Sequence, residues 1–111
     1  MGPQNKAQTR RLKMEVLKPY RVRINVIDEQ ILQLLQRRYD IIEEVAAIKA
    51  RDNIPAFIQA RVDEVRENAV QLAAKKGLDE DFIRKIYAQL IDHSCALEET
   101  LIQKSKKKKA S

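Results

Sequence analysis

The chain has 111 residues, 44% hydrophobic and 34% charged, with two Gly, three Pro, no Trp and a net charge of +6. That length suits one domain, and a chain rich in Leu, Ile, Ala, Glu, Lys, Arg and Gln but poor in turn formers is expected to be all-α. Cys95, the single cysteine, excludes an internal disulfide and cannot by itself make a zinc site; no apolar run approaches membrane-span length, so a cytoplasmic protein is expected.

The positive charge sits at the two ends. Residues 1–18 carry five Lys or Arg against Glu15, and residues 104–111 carry five Lys. The stretch between them holds 12 basic and 15 acidic residues. A reader of nucleic acid would carry its basic stripe on a folded face, so this distribution argues against nucleic acid as the partner. Residues 1–17 read as a basic, partly disordered arm, 18–103 as the folded domain, and 104–111 as a disordered lysine-rich tail.

Pro19 suits the first turn of a helix, where its missing N–H is no loss. The first helix is predicted from about Lys18 to about Arg51. Within it Tyr20, Ile24, Ile27, Ile31, Leu34, Arg38, Ile41, Val45 and Ile48 alternate steps of four and three, which is a heptad seam. Only Arg38 breaks its apolar character. Burying an unpaired guanidinium costs several kcal/mol, so Arg38 calls for an anion. Either an acidic residue of a neighbouring helix or an anionic ligand inside the bundle answers that demand. Lys49 lies about 20° round the helix from Arg38 and about 16 Å along it, so the two cations can converge on a small molecule. A helix of some 50 Å overhangs a 100-residue domain, whose radius of gyration is about 13 Å. Its seam must be covered by another chain, and an intertwined homodimer is predicted. Arg21, about 42 Å from Lys49 along the helix, serves a partner's site if it serves one at all.

Asn53 and Pro55 break this helix. A second is predicted from about Ala56 to Lys76, with Ile58, Val62, Val65, Ala69 and Leu72 as its apolar stripe and Arg61 beside it. Gly77 ends it as a left-handed cap, followed by Leu78. Asp79 is the expected N-cap of the third helix, with Glu80 and Asp81 at its positive end. That helix is predicted to run to about Gln103, with Phe82, Ile83, Ile86, Leu90, Leu97 and Leu101 as its apolar face. Ser94 and Glu98 lie one turn apart on or beside that face. His93 is read as a surface or partly satisfied histidine and Cys95 as a small buried thiol.

The sequence carries no convincing nucleophile with a paired base, no metal cluster and no glycine-rich phosphate loop. Arg38, Lys49 and Arg61, with Ser94 and Glu98, suit the binding of a small dianion and the stabilisation of charge that develops within it. A rearrangement driven by positioning and electrostatics fits; covalent catalysis does not.

The spacing of Arg21, Asp28, Arg38, Lys49, Pro55, Arg61, Gly77-Leu78-Asp79 and Glu98 resembles the AroQ class of chorismate mutases over about residues 17–102. The resemblance implies a three-helix protomer in an intertwined all-α homodimer. It also implies a cofactor-free Claisen rearrangement of chorismate to prephenate, a step of aromatic amino-acid synthesis. By the same resemblance Arg38 grips one substrate carboxylate, with help from Arg21 of the other subunit. Lys49 bonds the enolpyruvyl side, including the ether oxygen, and Arg61 supports the site. Ser94 is a polar pocket residue, and Glu98 takes the position, commonly Gln, that donates to the ether oxygen. Glu98 donates only when protonated, so activity is expected to fall toward alkaline pH.

Val62 and Ile58 stand where many of these enzymes place acidic residues, the former one that meets the ring hydroxyl. The run from Ile54 to Val62, the run from Gly77 to Phe82, and Cys95 three residues before Glu98 are similar to the 4-amino-4-deoxychorismate mutases, in which an amine replaces that hydroxyl. Isochorismate pyruvate lyase shares the fold, but it usually keeps Gln at the Glu98 position and a shorter Pro-to-Arg spacing. A non-catalytic helical dimerisation module is the remaining alternative, and it leaves Arg38 without a purpose.

Overall fold

A computed structural model of the chain describes residues 6–110 and consists of three helices: α1 Lys6–Asp52, α2 Gln59–Lys75 and α3 Glu80–Ala110. No strand occurs among the described residues. The expected all-α class and long first helix are both present. The first five residues of the predicted arm and Ser111 of the predicted tail lie outside the described residues.

Both end helices exceed their predicted bounds. α1 begins at Lys6 rather than near Lys18, so Pro19 lies inside the helix and not in its first turn. An interior proline removes one backbone hydrogen bond and costs about 3 kcal/mol. The residues before it, among them Ala7, Gln8, Arg10, Arg11, Lys13, Met14 and Glu15, are mostly good helix formers and carry the helix past the interruption. α3 continues to Ala110, where lysines in the last turn face the negative end of the helix dipole.

The chain divides into two compact units, one up to Arg38 and one from Tyr39 onward. In the first, α1 is the only element. Its seam residues Tyr20, Ile24, Ile27, Ile31 and Leu34 are each half or more exposed within the protomer.

The second unit holds the core. Ile42 and Ala46 of α1, Ala56 of the turn that follows it, Val70 and Ala73 of α2, and Ile91 and Ile102 of α3 are buried, together with the polar Ser94 and Glu98. The buried line on α1 therefore runs one residue beyond the seam, for Ile41 and Ile48 remain 59% and 46% exposed. On α2 the buried positions are Val70 and Ala73, whereas the predicted stripe residues Ile58 and Leu72 are exposed. On α3 the inner line is Ile91, Ser94, Glu98 and Ile102; the predicted Ile83, Ile86, Leu90, Leu97 and Leu101 flank it half-buried, and Phe82 is exposed. Ridge and groove packing between helices selects these lines, and periodicity within a single helix does not.

The caps are those expected. Asn53 takes a left-handed conformation, φ 57°, and the Ile54 N–H donates to the Lys49 carbonyl at 2.9 Å. Gly77, φ 71°, ends α2 in a Schellman motif: its N–H donates to the Ala74 carbonyl and that of Leu78 to the Ala73 carbonyl. The Asp79 carboxylate accepts the Phe82 N–H at 3.0 Å and opens α3. A Cβ at Gly77 would meet nothing within 4 Å, so Gly77→Ala is expected to destabilise by only the left-handed conformational cost, about 1 kcal/mol. A chemical denaturation midpoint checks this, and a loss several times larger would show a contact that the open surroundings do not provide.

Candidate functional site

α1 ends where it does because Asn53 reverses the backbone and Pro55 forbids continuation. The following segment then turns the Ala56 carbonyl inward. Ala56 is buried, and its carbonyl accepts a hydrogen bond from Lys49 Nζ at 2.9 Å. Lys49 thus holds the turn at two points, through its own carbonyl to the Ile54 N–H and through its ammonium to the Ala56 carbonyl. This explains why α2 starts at Gln59 and not at Ala56 as predicted. The Ala56 carbonyl is committed to Lys49, and Ile58, extended at φ −130° and ψ 108°, offers no capping side chain.

The same ammonium lies 2.7 Å from Glu98 Oε1 on α3. The two side chains are 15% and 10% exposed, so this is a nearly buried ion pair. It is close by distance but not a well-directed hydrogen bond, since Oε1 is buried with no hydrogen-bond donor aligned on it. An ion pair of this kind is held by charge and by the rigidity of the helices that carry it. It is also open to exchange, because a ligand that offers Lys49 a better-aligned acceptor competes on favourable terms.

Ser94 lies one turn before Glu98 on the same buried line, and its hydroxyl donates to the Leu90 carbonyl at 2.8 Å. Lys49, Ser94 and Glu98 are therefore placed on the inner face of the second unit. Arg61 is not brought to that face in the protomer: its guanidinium pairs with Glu64 on the surface of α2, with 65% of the side chain exposed. Val62, one residue on, is half-buried. Arg21 and Arg38 lie in the first unit, Arg21 exposed and Arg38 half-buried. His93 is exposed and stacks at 5.4 Å against Tyr39, in keeping with its reading as a surface histidine.

Sequence reasoning missed the Ala56 carbonyl as a fixed partner of Lys49. Pro55 was the available signal, since it marked a stretch with irregular backbone, but no side-chain pattern shows where such a carbonyl points.

Chemically, the arrangement offers an ammonium and a carboxyl group, each on a rigid helix and largely shielded from water. It suits a substrate on which negative charge develops beside a fixed ammonium, with the carboxyl group a second donor when protonated.

Comparison with known proteins agrees with that chemistry. Residues 20–99 match the family model of chorismate mutase type II. The chain is similar to a 4-amino-4-deoxychorismate mutase of Streptomyces venezuelae, 30% identical over 88 residues that cover 79% of this chain and 85% of the relative. It is equally similar, at 30% identity, to a chorismate mutase of Methanocaldococcus jannaschii, over 86% of this chain and 96% of the relative. A second 4-amino-4-deoxychorismate mutase, from Streptomyces pristinaespiralis, is 30% identical over 74% of this chain and 64% of its own length.

Proposed function

Because this chain belongs to the chorismate mutase type II family and is an isomerase of that class, we propose that it catalyses the Claisen rearrangement of chorismate or of 4-amino-4-deoxychorismate, as a cytoplasmic homodimer. The observation that carries this reading is the Lys49–Glu98 pair, held 2.7 Å apart on two rigid helices. In the rearrangement the ether C–O bond lengthens and negative charge gathers on its oxygen. Lys49 and protonated Glu98 are the donors assigned to that oxygen. Donors fixed beforehand lower the energy of the transition state more than that of the ground state.

Arg38 is assigned to one substrate carboxylate, where its planar fork allows two parallel hydrogen bonds. Arg21 of the other subunit assists, Arg61 supports the site, and Ser94 completes its polar wall. With Ile58 and Val62 where many relatives have acids, the pocket offers no carboxylate at these two positions to the substituent at C4. This supports carrying the amino substrate alongside chorismate.

A turnover assay with chorismate, 4-amino-4-deoxychorismate and isochorismate side by side, with products separated by chromatography, tests the reading. Rearrangement of either of the first two supports it, and the faster one names the substrate. Release of pyruvate from isochorismate would make the protein a lyase. Inertness toward all three would leave a helical dimerisation module.

The exposed seam of α1 supports the dimer. Five seam side chains from Tyr20 to Leu34 lie open on a helix with no other described element in its unit, and a solitary helix is marginal in water. Ile27→Asp combined with Ile31→Asp is expected to abolish the dimer and, with it, turnover. Sedimentation of the wild type as a monomer at micromolar concentration would remove the dimer from the reading.

A further inference from the structure

α3 runs past residue 99, where the family match ends, and its last eleven residues carry Lys104, Lys106, Lys107, Lys108 and Lys109 with no acid among them. These lysines do not share one surface. Lys104, Lys107 and Lys108 line a hollow beside Leu101. Lys106 follows Glu99 and Ile102 along a different line of the helix, at steps of three and four, and lines a separate cavity of about 310 Å³. Lys49 of α1 and the turn from Asn53 to Ala56 form the rest of its wall.

Lys49 is thus common to the catalytic pair and to this cavity. Its ammonium is already engaged by Glu98 Oε1 and the Ala56 carbonyl, so an approaching anion meets little uncompensated charge there. Lys106 differs: it is exposed, and no acid lies within ion-pair distance of it among the described residues. Glu99, the other charged residue on that wall, accepts a hydrogen bond from Gln103 and stands about 10 Å from Lys106 along the axis. The five lysines outweigh it, so the potential over this end of α3 is positive.

We propose that Lys106 is a positioning residue for the dianionic substrate, receiving one carboxylate at the mouth of the cavity beside Lys49 before the substrate exchanges Glu98 for itself on the Lys49 ammonium. This rests on the mutase reading above. The contact is as strong in the transition state as in the bound ground state, so it lowers KM without altering the chemical step.

Steady-state kinetics of Lys106→Gln, Lys106→Arg and Lys107→Gln at low and at physiological ionic strength test it, with Lys107→Gln removing the same charge from the other face. Lys106→Gln is expected to lower kcat/KM roughly three- to tenfold at low salt, less at higher salt, through KM with kcat unchanged. Lys106→Arg is expected to restore the wild-type value, and Lys107→Gln to leave it nearly unaltered. A wild-type kcat/KM in Lys106→Gln would overturn the proposal. An equal loss in Lys107→Gln would do so too, because it would reduce the effect to a diffuse field. So would a fall confined to kcat. A wild-type enzyme that rearranges neither chorismate nor its 4-amino analogue would instead remove the mutase reading, and this inference with it.

Discussion

Lys49→Ala is expected to lower kcat by about 10²–10³-fold, the usual loss when one preorganised donor to a developing oxyanion is removed. It is also expected to cost stability. The ammonium holds the Ala56 carbonyl and neutralises a carboxylate that is 10% exposed, and stranding one partner of a buried pair costs about 3 kcal/mol. The two losses have different causes and can be separated. In Lys49→Ala combined with Glu98→Gln, a neutral amide replaces the stranded carboxylate, so most of the stability returns while turnover does not. Denaturant midpoints and single-turnover rates of the single and double variants, measured where all of them are folded, decide the matter. A Lys49→Ala enzyme that turns over within an order of magnitude of the wild type would remove Lys49 from the chemistry and leave it a structural tether.

The second large effect concerns the proton on Glu98. In the ligand-free protein the carboxyl group faces the Lys49 ammonium as an ion pair, whereas a donor to the ether oxygen must carry a proton. The competent complex therefore needs one proton more at Glu98 than the ion pair does. The sign follows: a protonated carboxyl donates and a carboxylate does not, so kcat/KM is expected to fall toward alkaline pH. Glu98→Gln carries a permanent N–H donor, and its amide oxygen can face the Lys49 ammonium as the carboxylate does, so the alkaline fall is expected to disappear while activity near neutral pH holds or rises. Superimposable pH profiles for wild type and Glu98→Gln would show that this proton takes no part.

These two residues also mark how far the sequence could be read. Lys49 was visible because it lies about 20° round α1 from Arg38, and Glu98 because it follows Ser94 by one turn. Joint spacing on three helices carried the resemblance that the family match bears out. The caps at Asn53, Gly77 and Asp79 were legible for a related reason. Each depends on hydrogen bonds within a few residues and on left-handed backbone that Gly and Asn tolerate. The ends of α1 and α3 were less legible. Charge runs suggested disorder, but residues 6–19 and 104–110 contain no residue that stops a helix other than Pro19, and α1 continues through it.

By itself, then, the sequence determined the helical class, the break between α1 and α2, the capping residues, and the apolar seam that the protomer leaves exposed. Periodicity and capping are near-neighbour physics, so no fold is needed to see them. Only the tertiary structure decided that the protomer buries Ile42 and Ala46, half-buries Lys49 and leaves Ile41 and Ile48 in the open. Only it placed Lys49 between Glu98 and the Ala56 carbonyl, turned Arg61 toward Glu64, and set Lys106 on the cavity wall beside Lys49. Neighbouring lines on a helix are nearly equal in hydrophobicity, and which one is buried depends on elements distant in the chain. The direction of a loop carbonyl leaves no mark on side-chain pattern at all.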